Sequence, residues 1–168
     1  MEEKLNKPDK VFERIIEAHK ASIYSVCYMY AANKIEADDI FQEILVNLWK
    51  GLKSFRWESE LKSWVYRISL NTCISYQRKK RVKTEPLDIA PEIFTTDSPA
   101  GRQTEQLRRR ITRLDPMDRA IVLLWLEDMA YEEIGAIVGM TAKNVGVRLI
   151  RIKEKLKKQR NDEDWYAT

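Results

Sequence analysis

The sequence predicts an all-α protein: two small helical domains joined by a flexible tether. Three observations carry that expectation. Apolar residues recur at helical spacing, and no run of alternating β-branched residues signals a strand. Gly and Pro number only five each, and Pro86, Pro91 and Pro99 fall in one stretch with Gly101 and a Thr-Thr-Asp-Ser cluster. Charge is segregated along the chain. Residues 76–83 carry five basic groups and no acid, residues 141–160 carry eight basic groups against Glu154 alone, and residues 83–105 hold two basic groups against five acidic ones. The boundaries that follow are 8–83 for the first domain, 84–104 for an acidic linker and 105–160 for the second domain.

Residues 8–33 predict one broken or two short helices, with Val11, Phe12, Ile15 and Ile16 in one set and Ile23, Val26, Cys27 and Tyr30 in the next. Residues 36–53 predict a strongly amphipathic helix buried through Phe41, Ile44, Leu45 and Leu48. Glu36, Asp38 and Asp39 lie in its first turn, where carboxylates favour the helix dipole. Asp39, Gln42, Glu43 and Val46 form a neighbouring exposed stripe, which solvent or a basic protein partner would cover.

The stretch Phe55–Lys83 organises the first domain. It opens on an aromatic, polar loop, Phe55-Arg56-Trp57-Glu58-Ser59, and closes on Arg78, Lys79, Lys80, Arg81 and Lys83. Between them lies a helix with two apolar stripes: Leu61, Trp64, Val65, Ile68 and Thr72 on one side, Tyr66, Leu70, Cys73 and Gln77 on the other. One stripe packs on the domain core. The other faces either a further helix or a ligand with flat apolar faces, such as the unpaired bases of single-stranded nucleic acid, which aromatics stack against while Arg and Lys hold phosphates.

The second domain begins with a helix running to about Leu114. Asp115-Pro116 then starts a new one, with Asp as N-cap and Pro at the first helical position. A short helix holding Ile134, Ile137 and Val138, a turn at Gly139-Met140 and a basic helix capped by Thr141 make a helix-turn-helix pattern. On the last helix Val145, Leu149, Ile152 and Leu156 form the core stripe, flanked by Arg148. Lys143, Val147, Ile150 and Arg151 lie opposite, with Asn144 to the side. In a major groove the two aliphatics would meet thymine methyl groups while Asn144 and Arg151 offer hydrogen bonds. Gly146 costs that helix roughly 1 kcal/mol relative to Ala, which a close backbone approach would explain.

Composition limits the function classes. The net charge of +4 matters less than its placement: two basic helical ends on an acidic tether suggest two contacts with one polyanion. No segment approaches the length of a membrane span and no apolar leader opens the chain. Cys27 and Cys73 are isolated and read as core residues of a cytoplasmic protein. With one histidine, His19, no phosphate-binding glycine loop, no nucleophile triad and no metal-ligand spacing, the expectation is a non-enzymatic protein without cofactor or metal.

These residues resemble the bacterial sigma-70 family of RNA polymerase sigma factors, in its compact extracytoplasmic-function group. The first block is similar to the family's region two through Asp39-Ile-Phe-Gln42-Glu43, Leu48-Trp49, Phe55-Arg56 and Trp64-Val65-Tyr66-Arg67-Ile68 followed by Asn71. The second is similar to region four through Leu114-Asp-Pro-Met-Asp-Arg119, Tyr131-Glu-Glu133-Ile134, and Val145 with Arg148, Arg151, Lys155 and Leu156. The resemblance implies a subunit that binds core RNA polymerase, directs it to promoters and promotes DNA melting. Asp39, Gln42 and Glu43 match the surface for the β′ clamp helices, and the β subunit is a further contact. Phe55, Arg56, Trp64, Tyr66, Arg67, Asn71 and Arg78 match the minus-ten region, where a flipped base is captured. Lys143, Asn144, Val147, Arg148, Ile150, Arg151 and Lys155 match the reader of the minus-thirty-five element. An anti-sigma protein is a further implied partner.

The chain departs from the family pattern at Ser75, Ala130, Asn144, Gly146 and Val147, which bears on which promoter it reads. Gly146 and Val147 leave fewer direct hydrogen bonds, moving the expected contact toward shape and phosphates. A rival class is a stand-alone helix-turn-helix regulator, which would bind a palindromic duplex without polymerase. A third is a helical adaptor binding acidic proteins, with little salt-dependent affinity for DNA.

Overall fold

A computed structural model describes residues 8–57, 60–83 and 99–167, and describes side chains within them except at 81–83, 99–102, 104 and 162–167. Every regular element among the described residues is helical: α1 (Pro8–Tyr30), α2 (Lys34–Leu52), α3 (Leu61–Lys83), α4 (Pro99–Thr112), α5 (Pro116–Leu126), α6 (Tyr131–Val138) and α7 (Ala142–Ala167). The chain divides into two compact units between Ile89 and Ala90.

The first unit packs α1, α2 and α3 pairwise against one another. Helix α1 is continuous, not broken. No Gly or Pro falls between Asp9 and Tyr30, and the polar residues that separate its two apolar sets simply face away from the core. Ile15, Ile23, Val26, Cys27 and Tyr30 meet Ala37, Ile40, Phe41, Ile44 and Leu48 of α2 and Val65, Leu70 and Cys73 of α3 in one buried core. Helix α2 begins at Asn33, whose side chain accepts from the Glu36 backbone N–H at 2.8 Å, the N-cap bond that satisfies one orphan donor. Both apolar stripes of α3 are covered by α1 and α2, so its second stripe faces a helix rather than a ligand. Two polar bonds tie the bundle: Asn47 donates to Thr72 Oγ1 at 2.9 Å, and Gln77 donates to the carbonyl of Tyr30, at the end of α1, at 2.9 Å.

The second unit packs three shorter helices, of 14, 11 and 8 residues, with the 26-residue α7. Helix α4 starts at Pro99, inside the stretch assigned to the linker from sequence; residues 99–104 are helical, and proline at a helix start loses no hydrogen bond. The rest of that expected linker, residues 84–98, lies outside the described residues. Asp115 caps α5, accepting from Asp118 N–H at 2.9 Å, with Pro116 at the first position. Ala130 occupies the cap of α6 and offers it no side-chain bond. At the other end Gly139 takes the left-handed conformation (φ 78°), and the N–H groups of Gly139 and Met140 both donate to the carbonyl of Gly135. That turn folds so tightly that a Cβ on Gly135 would collide with Met140 O, so glycine is required there for space. Helix α7 then buries Val145, Leu149 and Ile152 against Ile111, Ile121, Leu124 and Ile134.

Candidate nucleic-acid interface

On α2 the acids divide by azimuth. Glu36 is buried and pairs with Lys80 of α3, and Asp38 accepts from the Tyr24 hydroxyl at 2.7 Å, which pushes that phenol up to about 12. Tyr24 in turn stacks on Phe41 with centroids 4.3 Å apart. Asp39 and Gln42 stay exposed and Glu43 half-buried. Ile35 and Val46 lie on the same stripe, and Ile35 is 76 % exposed. The Tyr76 phenol of α3 is held above its usual range by burial and by the charges of Glu36, Asp39 and Glu43. The result is an acidic centre between two aliphatic side chains that the first unit leaves uncovered. Sequence reading overlooked Ile35, although its spacing to Asp39 and Gln42 places it on that face.

The loop between α2 and α3 forms an aromatic ladder. Trp64, half-buried at the start of α3, lies against Phe55 with centroids 4.7 Å apart at 34°, and Phe55 meets Trp57 at 4.9 Å and 61°. Trp57 is 61 % exposed and has a φ of 59°, a backbone conformation that bulky residues rarely adopt. Such strain persists where surrounding structure imposes it, and it clusters at functional sites. Nothing in the sequence signals this conformation, because glycine is its usual occupant. Arg56 is exposed beside the ladder, and Arg67, Asn71 and Arg78 are exposed along α3 at spacings that set them on one side.

Tyr66 is the exception among the minus-ten candidates. It is 4 % exposed and sits in the three-helix core. Its stripe faces the bundle, since α3 has helices on two sides. In this conformation it supports the site by packing and offers no face to a base.

On α7 Lys143, Asn144 and Arg151 are exposed, as are Val147 and Ile150, the latter at 61 %. Thr141 Oγ1 accepts from Asn144 N–H at 3.2 Å and so caps the helix. Arg148 and Lys155 behave differently from the other minus-thirty-five candidates. Arg148 Nε donates to Asp118 Oδ1 at 2.6 Å and Lys155 Nζ lies 3.4 Å from Asp118 Oδ2, while the Asp118 side chain is only 5 % exposed. A buried carboxylate demands such partners, so both cations are tied to the start of α5. For Asp115 burial alone would raise the carboxyl pKa, but hydrogen bonds from Asp118 and the charges of Arg148 and Lys155 outweigh it and hold it below the ordinary value. Lys153 Nζ lies 4.3 Å over the Trp125 ring. Among the described residues no group of three or more His, Cys, Asp and Glu could hold a metal ion, and no helix is long and apolar enough to cross a membrane.

A helical unit with an exposed aromatic and basic face, followed by a helix-turn-helix unit with a basic outer helix, defines a bipartite nucleic-acid-binding protein. Residues 15–82 match the family model for sigma-70 region 2 and residues 104–156 that for sigma-70 region 4. The chain is 29 % identical over 167 residues to the extracytoplasmic-function RNA polymerase sigma factor SigW of Bacillus subtilis, covering 90 % of this chain and 89 % of that protein. It is 27 % identical over 169 residues to the extracytoplasmic-function sigma-E factor of Escherichia coli K12, covering 90 % and 88 %. In fold it is similar to the Bartonella quintana sigma factor RpoE solved with the anti-sigma factor NepR, at TM-score 0.70 and 21 % identity over 89 % of this chain and 96 % of that one. It is likewise similar to CnrH solved with the cytosolic domain of CnrY, at TM-score 0.68 and 20 % identity over 92 % and 90 %. The chain therefore belongs to the extracytoplasmic-function group of the sigma-70 family. It is a non-enzymatic specificity factor that directs RNA polymerase to promoters.

Proposed function

We propose that the first unit docks on core polymerase through Asp39, Gln42 and Glu43, and that the α2–α3 loop and the outer side of α3 then hold the opened minus-ten strand. Arg56, Arg67 and Arg78 bind phosphates, and Asn71 and the Phe55 ladder take an unstacked base. Extruding a base costs a few kcal/mol, which stacking on aromatics at about 1–3 kcal/mol per base offsets in part, so binding energy drives strand opening without nucleotide hydrolysis. The observation that carries this reading is the coincidence, on one unit, of the half-buried Phe55 and exposed Trp57 with the exposed Arg67, Asn71 and Arg78.

The second unit reads the minus-thirty-five duplex through Lys143, Asn144, Val147, Ile150 and Arg151 of α7. Arg148 and Lys155 act mainly by orienting that helix on α5, a role their bonds to Asp118 support. The protein works in the cytoplasm, where its polymerase is, and an anti-sigma protein is a partner class suggested by the complexes in which its structural relatives were solved.

Run-off transcription with core polymerase and host genomic DNA tests the whole reading: defined start sites should appear only when this chain is added. Asn71→Ala, an exposed change, should lower transcription from such a promoter at least about tenfold, the equivalent of ~1.4 kcal/mol, while leaving polymerase binding intact. Asp39→Ala with Gln42→Ala should weaken association with core polymerase. Normal transcription by the first variant would sink the base-capture assignment, and undiminished co-purification of the second would sink the docking one.

A further inference from the structure

The outer face of α7 has a gap at one edge, beside Ile150. Gly146 contributes no side chain, and Val147 and Ile150, its neighbours one and four residues on, have no hydrogen-bonding groups. The space beside Gly146 is occupied from another helix. The ring of Tyr131, the first residue of α6, lies so close that a Cβ built on Gly146 would sit 3.4 Å from Cε2 and 3.6 Å from Cδ2. A methyl there would make ordinary contact, but a longer side chain would have to displace the ring. Tyr131 is 39 % exposed, so the ring reaches the surface. An aromatic from α6 thus stands beside Gly146, whose neighbours on α7 include two exposed aliphatics. Charged and amide groups lie around these residues at Lys143, Asn144 and Arg151.

We propose that Tyr131, seated in the notch at Gly146, joins Val147 and Ile150 in one apolar reading surface for thymine C5-methyl groups, so that the upstream promoter element is recognised by its methyls more than by hydrogen bonds to base edges. This rests on the reading above that α7 enters the upstream duplex. The chemistry follows from what a major groove displays: purine edges and cytosine present hydrogen-bonding atoms, and the thymine methyl is the one apolar feature. A face that presents Tyr, Val and Ile discriminates for that feature, while the surrounding Lys143 and Arg151 supply the phosphate attraction that keeps a DNA duplex as its occupant.

The test uses holoenzyme assembled from core polymerase and the full chain, on a promoter recovered by run-off transcription. Thymines of the upstream duplex segment are replaced by deoxyuridine, which removes only the methyl. Promoter binding should fall about three- to fourfold for each contacted methyl, the size expected for losing one buried apolar carbon. Tyr131→Ala should weaken binding to the thymine duplex and lose most of its response to uracil, whereas Tyr131→Phe should keep both. Equal binding of thymine and uracil duplexes by the unaltered chain would overturn the proposal, and that arm needs no variant to fold. If Ile150→Glu leaves the upstream footprint unchanged, α7 is not on the duplex and the underlying reading fails instead.

Discussion

The two units reach stability by different means. In the first, three helices of 23, 19 and 23 residues lie against one another, and long apolar stripes supply the core. Its ion pair, between the enclosed Glu36 and the exposed Lys80, fastens the start of α2 to the end of α3. In the second, α5 and α6 have only 11 and 8 residues, too short to be stable without support. Helix ends are therefore a larger share of that unit, and charged groups secure them. Asp118 ties α5 to α7, and Arg119 donates to the carbonyls of Thr112 and Leu114, closing the end of α4. Long helices can rely on their sides; short helices depend on their termini.

Three substitutions sharpen that contrast, each read by amide hydrogen exchange along the full chain. Leu48→Ala empties a fully buried position of the first unit and should cost about 3 kcal/mol of protection in α1–α3. If α4–α7 lose as much, the two units unfold together and the comparison fails. Asp118→Ala should cost the second unit about 2 kcal/mol, less than a fully buried pair because Arg148 and Lys155 are partly exposed and regain water. It should also lower promoter binding by loosening α7; unchanged protection of α5 and α7 would remove Asp118 from the account. Ala130→Ser supplies the missing cap of α6 and should raise its protection by about 1 kcal/mol. No gain would mean that the exposed start of α6 is already satisfied by solvent.

Much of this was readable from the chain. Asp115, Thr141 and Gly139 end or begin helices where their chemistry says they should, because caps and turns are decided within a few residues. The core stripe of α7 follows from its period. The continuity of α1 was not readable in the same way, since a polar interval looks alike in a break and on a solvent-facing turn. The candidate sites were less legible than the fold. Asn71, Arg67 and Arg151 are exposed as a binding role requires, whereas Tyr66 is enclosed and Arg148 and Lys155 are engaged by Asp118. Trp57 shows its left-handed backbone only in three dimensions.

The residues alone determine where the helices run, where most of them stop and which sides are apolar, because these depend on neighbours within about one turn. Only the tertiary structure decides which polar and aromatic side chains remain available to a partner. A helical period gives the direction in which a side chain leaves its helix, but whether it meets water, a carboxylate or another ring depends on an element far away in sequence. Glu36 facing Lys80, Asp118 facing Arg148 and Gly146 facing Tyr131 are each settled by that second element.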